Sequence, residues 1–144
     1  MIQQDTIRLL RECDSGVKMG VTAINDVMSY VSSGELKGSL NKSMNENRRI
    51  MKDLQSQLNR FHDGGKDPNA MLKSMAWLKT NVRLKMNGSD SVVADLITDG
   101  CNMGIKSLNR YLNEYKAADE RTKDIARDII GTEERLAYEI RKFL

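Results

Sequence analysis

Apolar positions recur along most of this chain at steps of three and four, the period of an amphipathic α-helix. The first stripe, Leu10, Cys13, Val17, Val21, Ile24, Met28 and Val31, predicts a helix from about Asp5 to Val31. Ser32-Ser33-Gly34-Glu35 follows: Gly34 can end that helix, and Ser32 with Glu35 fits a capping box for the next. The second stripe is Leu36, Leu40, Met44, Asn47, Ile50, Leu54, Leu58 and Phe61, predicting a helix from about Gly34 to Phe61. Its one polar member, Asn47, lies mid-helix. Asp63-Gly64-Gly65-Lys66 breaks the pattern, and Asp67-Pro68 reads as an N-cap followed by a first-turn proline. A further amphipathic stretch covers Asn69 to Met86, with Met71, Leu72, Met75, Leu78 and Val82 on one side, before a turn at Asn87-Gly88-Ser89. The third stripe, Val93, Ile97, Cys101, Ile105, Leu108, Leu112 and Tyr115, predicts a helix from about Asp90 to Tyr115. After a break at Ala117-Ala118-Asp119, the fourth runs to about Phe143 on Ile125, Ile129, Glu133, Leu136, Ile140 and Phe143. Glu133 is again a polar residue at mid-helix.

The chain also repeats itself. Gly16-x-x-Met19-Gly20-Val21-x-x-Ile24-Asn25-x-x-Met28 returns as Gly100-x-x-Met103-Gly104-Ile105-x-x-Leu108-Asn109-x-x-Leu112, at a constant offset of 84 (104 − 20). The second and fourth helices align as well, Arg49-Ile50 with Arg135-Leu136. Short turns make each pair an antiparallel hairpin, at about 5–61 and 90–143. The connector, about 62–89, is long enough to travel the length of a bundle. The expected fold is all-α: one four-helix-bundle domain over 1–144 with a long helical crossover between the second and third helices, the ferritin-like arrangement.

Composition narrows the function classes. The single proline and the 5% aromatic content disfavour a β-sandwich. No apolar run approaches the roughly 20 residues that span a bilayer, and the N-terminus lacks the basic-then-apolar pattern of a secretory signal. Two cysteines, Cys13 and Cys101, form neither a disulfide framework nor a CxxC pair, so a reducing cytoplasm is the expected location. Basic and acidic residues are interleaved, 23 against 20, too balanced to argue for nucleic acid from charge alone. Nothing resembles a phosphate loop, a nucleophile elbow or a zinc motif.

Asp14-Ser15-Gly16 with its downstream pattern, the Pro68 connector with Trp77-Leu78-Lys79, and the Gly100-to-Leu112 repeat resemble a small bacterial branch of the ferritin-like superfamily, known mainly as a domain of unknown function. The resemblance implies a ferritin-like four-helix bundle, open to self-association, with no assigned activity. Active ferritin-like relatives hold two metals with one Glu from each of two helices and Glu-x-x-His from each of the other two. Here the corresponding places on the first and third helices are Gly16 or Gly20 and Gly100 or Gly104. The second and fourth offer Asn47-x-x-Ile50 and Glu133-x-x-Leu136, and the only histidine, His62, sits at a helix end. No di-metal site, cofactor or catalytic residue is expected.

Each helical glycine costs about 0.8–1 kcal/mol against alanine, so something should offset Gly16, Gly20, Gly100 and Gly104. Glycines four apart share a helix face, and close packing of the first helix on the third is the leading explanation. Asn47 and Glu133 read as a hydrogen-bonded central polar layer that fixes helix register, or as edge positions. The nine methionines and the two cysteines read as core filler rather than soft copper ligands. Lys73, Lys79, Arg83 and Lys85 around Trp77 read as a solvated face; a nucleic-acid surface is the lesser alternative. The expected function is non-enzymatic: a structural or protein-interaction module, open to homodimer formation, whose partner the sequence does not name. The alternative is a divergent ferritin-like metal-binding or redox protein using Glu133 with carboxylates such as Glu12, Asp14, Glu46 or Asp99.

Overall fold

The computed structural model describes residues 2–66 and 88–144. Among them are four long helices and no strand: α1 (Ile2–Met28), α2 (Gly34–Arg60), α3 (Asp90–Glu114) and α4 (Glu120–Ile140), with a 3-10 turn at Arg141–Phe143. The helical connector expected around Pro68 and Trp77 lies outside the described residues.

Helix direction follows from contacts at the two ends. The start of α1 meets the α3–α4 turn: Ala117 N–H donates to Asp5 Oδ2 (3.0 Å) and Asp119 N–H to Thr6 Oγ1 (2.9 Å). At the opposite end, the N–H groups of Ser32 and Ser33 donate to the two carboxylate oxygens of Asp90, at 2.8 and 3.0 Å. Glu35 pairs with Lys142 there. Each helix therefore runs antiparallel to its neighbours in the order α1, α2, α4, α3, and α2 runs parallel to α3.

The α1–α2 turn differs from the expected capping box by one residue. Ser33, not Ser32, is the N-cap of α2, its side chain accepting from Leu36 N–H at 3.2 Å, and Gly34 opens the helix instead of ending α1. Asp90 takes the two serine N–H groups across the bundle, and Glu35 turns to Lys142 rather than back to its own cap. The far end of α2 closes with paired reverse bonds, Asp63 N–H to Leu58 O (3.0 Å) and His62 N–H to Asn59 O (3.1 Å), with His62 at positive φ.

The chain leaving α2 is fastened to α1. Asp63 accepts a bidentate hydrogen bond from Arg11, Lys66 N–H donates to Asp14 Oδ2 (3.0 Å), and Lys66 Nζ pairs with Glu12 (2.7 Å). The Arg11 guanidinium, through hydrogen bonding first, holds the Asp63 carboxyl below the usual range. Gly65 makes the crossing possible. Its φ is +82°, and a Cβ there would overlap the Asp14 carboxylate. Gly65→Ala is therefore expected to lower unfolding free energy by about 2 kcal/mol, from left-handed strain plus displacement of Asp14. An unchanged urea midpoint would refute that account.

The stripes read from sequence supply the core, with the addition of Leu9 and Val27 on α1 and Ala126 on α4, all buried. The core falls into two clusters of fully buried residues, bridged by half-buried Val21, which packs against both. One cluster holds Ile24, Val27, Leu36, Leu40, Met44, Val93, Ile97, Leu136 and Ile140. The other holds Leu9, Leu10, Cys13, Val17, Ile50, Leu54, Leu58, Leu108, Ile125 and Ile129.

Candidate functional site

The two clusters meet at one level, and every helix crosses it with a residue that is not a large hydrophobe. On α1 the fully buried residues of the lower cluster end at Val17 and those of the upper resume at Ile24, with Gly20 and the bridging Val21 between. On α2, Met44 and Ile50 flank Asn47; on α3, Cys101 and Leu108 flank Gly104; on α4, Ile129 and Leu136 flank Glu133. Helical periodicity places these four residues at one height.

Asn47 and Glu133 both approach Gly20, and Glu133 also approaches Gly104. A Cβ built on Gly20 would lie 3.3 Å from Asn47 Nδ2 and 3.8 Å from Glu133 Oε1. A Cβ on Gly104 would lie 3.6 Å from the Glu133 carboxyl carbon. These glycines are therefore the space into which the two polar side chains fit. At Gly20 no atom of α3 comes within 4 Å of that Cβ, and at Gly16 and Gly100 a Cβ would meet no described atom within 4 Å. The glycine-on-glycine packing of α1 and α3 expected from the sequence is not what surrounds these four positions. Two of them accommodate Asn47 and Glu133, and the other two face open space among the described residues.

Asn47 is 2% exposed, and its Oδ1 has no hydrogen-bond partner among the described residues. Glu133 is partly exposed as a residue, but its carboxyl turns inward over the two glycines. Burial pushes that carboxyl up to about 7, partly opposed by a hydrogen bond from the Cys101 thiol. Burial first, then the charge of Glu133, pushes Cys101 well above the usual thiol range, and burial does the same to Cys13. Neither thiol is a ready nucleophile or metal ligand in this state. The role of Cys101 beside Glu133 was not legible in the repeat, because its counterpart there is the apolar Val17; the signal available was its spacing of three from Gly104.

Three of the four carboxylates offered as divergent ligands are paired elsewhere, and the fourth is exposed. Glu12 pairs with Lys66, and Asp14 with Lys18 (2.8 Å). Glu46 pairs with Arg135 (2.9 Å) at the α2–α4 flank, while Asp99 is exposed on α3. Among the described residues no group of three or more His, Cys, Asp or Glu side chains is placed to hold a metal ion. The single inward carboxyl, one amide and two glycines do not fit a carboxylate-bridged di-metal centre. No helix of the described residues is long and apolar enough to cross a membrane. The basic residues around Trp77 lie outside the described residues.

Compared with known families, curated proteins and solved structures, the chain matches none.

Proposed function

We propose that this chain is a non-enzymatic, ferritin-like four-helix bundle that serves in the cytoplasm as a structural or protein-interaction module, open to self-association. The parallel course of α2 and α3 supports the ferritin-like topology, since two parallel helices need a connection longer than a tight turn. The observation that carries the functional reading is the make-up of the central layer. On the ferritin-like reading, Gly20, Asn47, Gly104 and Glu133 occupy the level at which a di-metal centre would need converging carboxylates and histidines, and three of the four have no ionisable side chain. Such a layer can set helix register and shape without performing chemistry.

A second reading, a divergent metal-binding or redox protein, is favoured by one contact: the Cys101 thiol against the Glu133 carboxyl. Metal analysis separates the two. Protein purified without chelator, with iron, manganese and copper supplied, is expected to carry substoichiometric metal, unaltered in Glu133→Ala. Stoichiometric metal that disappears in Glu133→Ala overturns the non-enzymatic reading. Sedimentation of the same sample reports self-association.

A further inference from the structure

Two of the repeated glycines mark a groove between α1 and α3. Along α1, Glu12, Gly16 and Met19 follow one another at steps of four and three, beside the core stripe. Along α3, Leu96, Gly100 and Met103 form a matching line that continues to Tyr111. The two lines meet at the foot of the groove, where the Tyr111 hydroxyl donates a hydrogen bond to the Glu12 carboxylate. Above that contact a Cβ on Gly16 or Gly100 would meet no described atom within 4 Å, and Met103 is 44% exposed. Ser15 stands two residues from both Cys13 and Val17, on the side of α1 turned from the core, yet it is only 2% exposed. The chain supplies the start of that cover, because Gly65 and Lys66 cross α1 at Asp14. The opposite groove presents charge instead: α2 and α4 are joined there by Lys42–Glu139, Glu46–Arg135 and Asp53–Arg121 pairs.

We propose that the α1–α3 groove is the docking surface for this chain's own segment 67–87. The segment begins at the groove's foot, where Lys66 N–H donates to Asp14 and Lys66 Nζ pairs with Glu12. It ends at the groove's other end, where Ser89 caps α3 and Asp90 accepts from the N–H groups of Ser32 and Ser33. From Asp14 to Met28 α1 rises about 21 Å, and the amphipathic stretch 69–86 would cover about 27 Å at the same helical rise. One pass along the groove uses that length. A path over the opposite side has to pass round α2 and α4 as well.

Segment and groove are complementary in chemistry. Residues 67–87 carry Lys73, Lys79, Arg83 and Lys85 against one acid, Asp67. The upper groove is acidic: the charged side chains of residues 19–31 and 90–105 are Asp26, Asp90, Asp95 and Asp99. Opposite charges on the two surfaces favour this pairing over a second copy of α1 and α3, which would bring like charges together. Met71, Met75, Leu78 and Val82 recur at helical steps and supply an apolar line to set against Met19, Leu96 and Met103. The absent side chains at Gly16 and Gly100 leave room for a close backbone approach. The docking explains why both halves of the repeat carry a glycine that no described helix contacts. It stands whether or not the bundle binds metal.

Two measurements on the full chain test the docking. Methyl-labelled protein is expected to show nuclear Overhauser contacts from Met19 or Met103 to Met71, Met75, Leu78 or Val82 of the same chain. Contacts of those segment methyls with α2 or α4 instead overturn the proposal, and so does the absence of any contact. Contacts seen only between differently labelled chains also overturn it, by placing a second copy in the groove. Trypsin reads the same docking at Lys73, Lys79, Arg83 and Lys85. Cleavage there is expected to be about tenfold faster in the Met19→Asp, Met103→Asp double variant than in wild type, at unchanged helicity. Equal rates overturn the proposal. If the double variant fails to fold, the methyl contacts in wild type decide.

Discussion

Gly20→Leu is expected to lower the unfolding free energy by about 3 kcal/mol, and the Tm by roughly 10 °C. The first added carbon would stand 3.3 Å from Asn47 Nδ2 and 3.8 Å from Glu133 Oε1. The remaining leucine carbons must enter the volume those two side chains occupy. Overpacking a filled interior costs about 1–3 kcal/mol. Driving a buried polar group off its position adds about 1–3 kcal/mol. Replacing a mid-helix glycine returns about 1 kcal/mol of helix propensity. Gly38 on α2 is the control, because it is exposed and a Cβ there meets no described atom within 4 Å. Gly38→Ala is expected to gain up to about 1 kcal/mol. Chemical denaturation of both variants at one pH is the measurement. Equal effects at the two glycines would mean that the central layer places no demand on Gly20.

Joint replacement of Asn47 by Leu and Glu133 by Met is expected to raise stability at pH 8 by about 2–3 kcal/mol. Replacing buried ionic or polar pairs with apolar groups of similar volume is often stabilising by about 1–4 kcal/mol. Here the replacement removes an unpartnered amide oxygen and an acid that burial disfavours when ionised. It also widens the apolar contact between the two clusters, Leu136 and Met44 on one side and Ile129 and Ile50 on the other, which Val21 already bridges. The gain should be smaller at pH 5, where Glu133 is already neutral. A loss of stability at both pH values would show that the polar pair contributes more than an apolar layer can. Poorly dispersed methyl resonances alongside higher stability would assign the layer to helix register, a known use of buried polar residues.

Much of this architecture was legible beforehand because helical burial leaves a periodic trace. Leu36, Leu40, Met44, Ile50, Leu54 and Leu58 are all buried, at the steps that made them a stripe. Asn47 and Glu133 stood out as polar members of otherwise apolar stripes, and both reach the bundle centre. Local capping was less legible. Ser33 caps α2 while the N–H groups of both Ser32 and Ser33 bond the Asp90 carboxylate, 57 to 58 residues away, a contact no local pattern announces. The glycines misled in a similar way. Sequence marks Gly16, Gly20, Gly100 and Gly104 as one repeated pattern. Only the partner helices show that two make room for side chains while the other two meet no described atom.

The sequence by itself determined that this protein is helical, which faces of its helices are buried, and that two polar residues interrupt those faces at mid-helix. It could do so because helix formation and burial are written in short-range periodicity. The tertiary structure alone decided which helix lies against which, that Asn47 and Glu133 share one space over Gly20, and that Cys101 joins them. Those contacts join residues far apart in the chain, and no local pattern specifies them. The proton affinity of Glu133 follows from that assembly, because desolvation is set by what the other three helices place around its carboxyl.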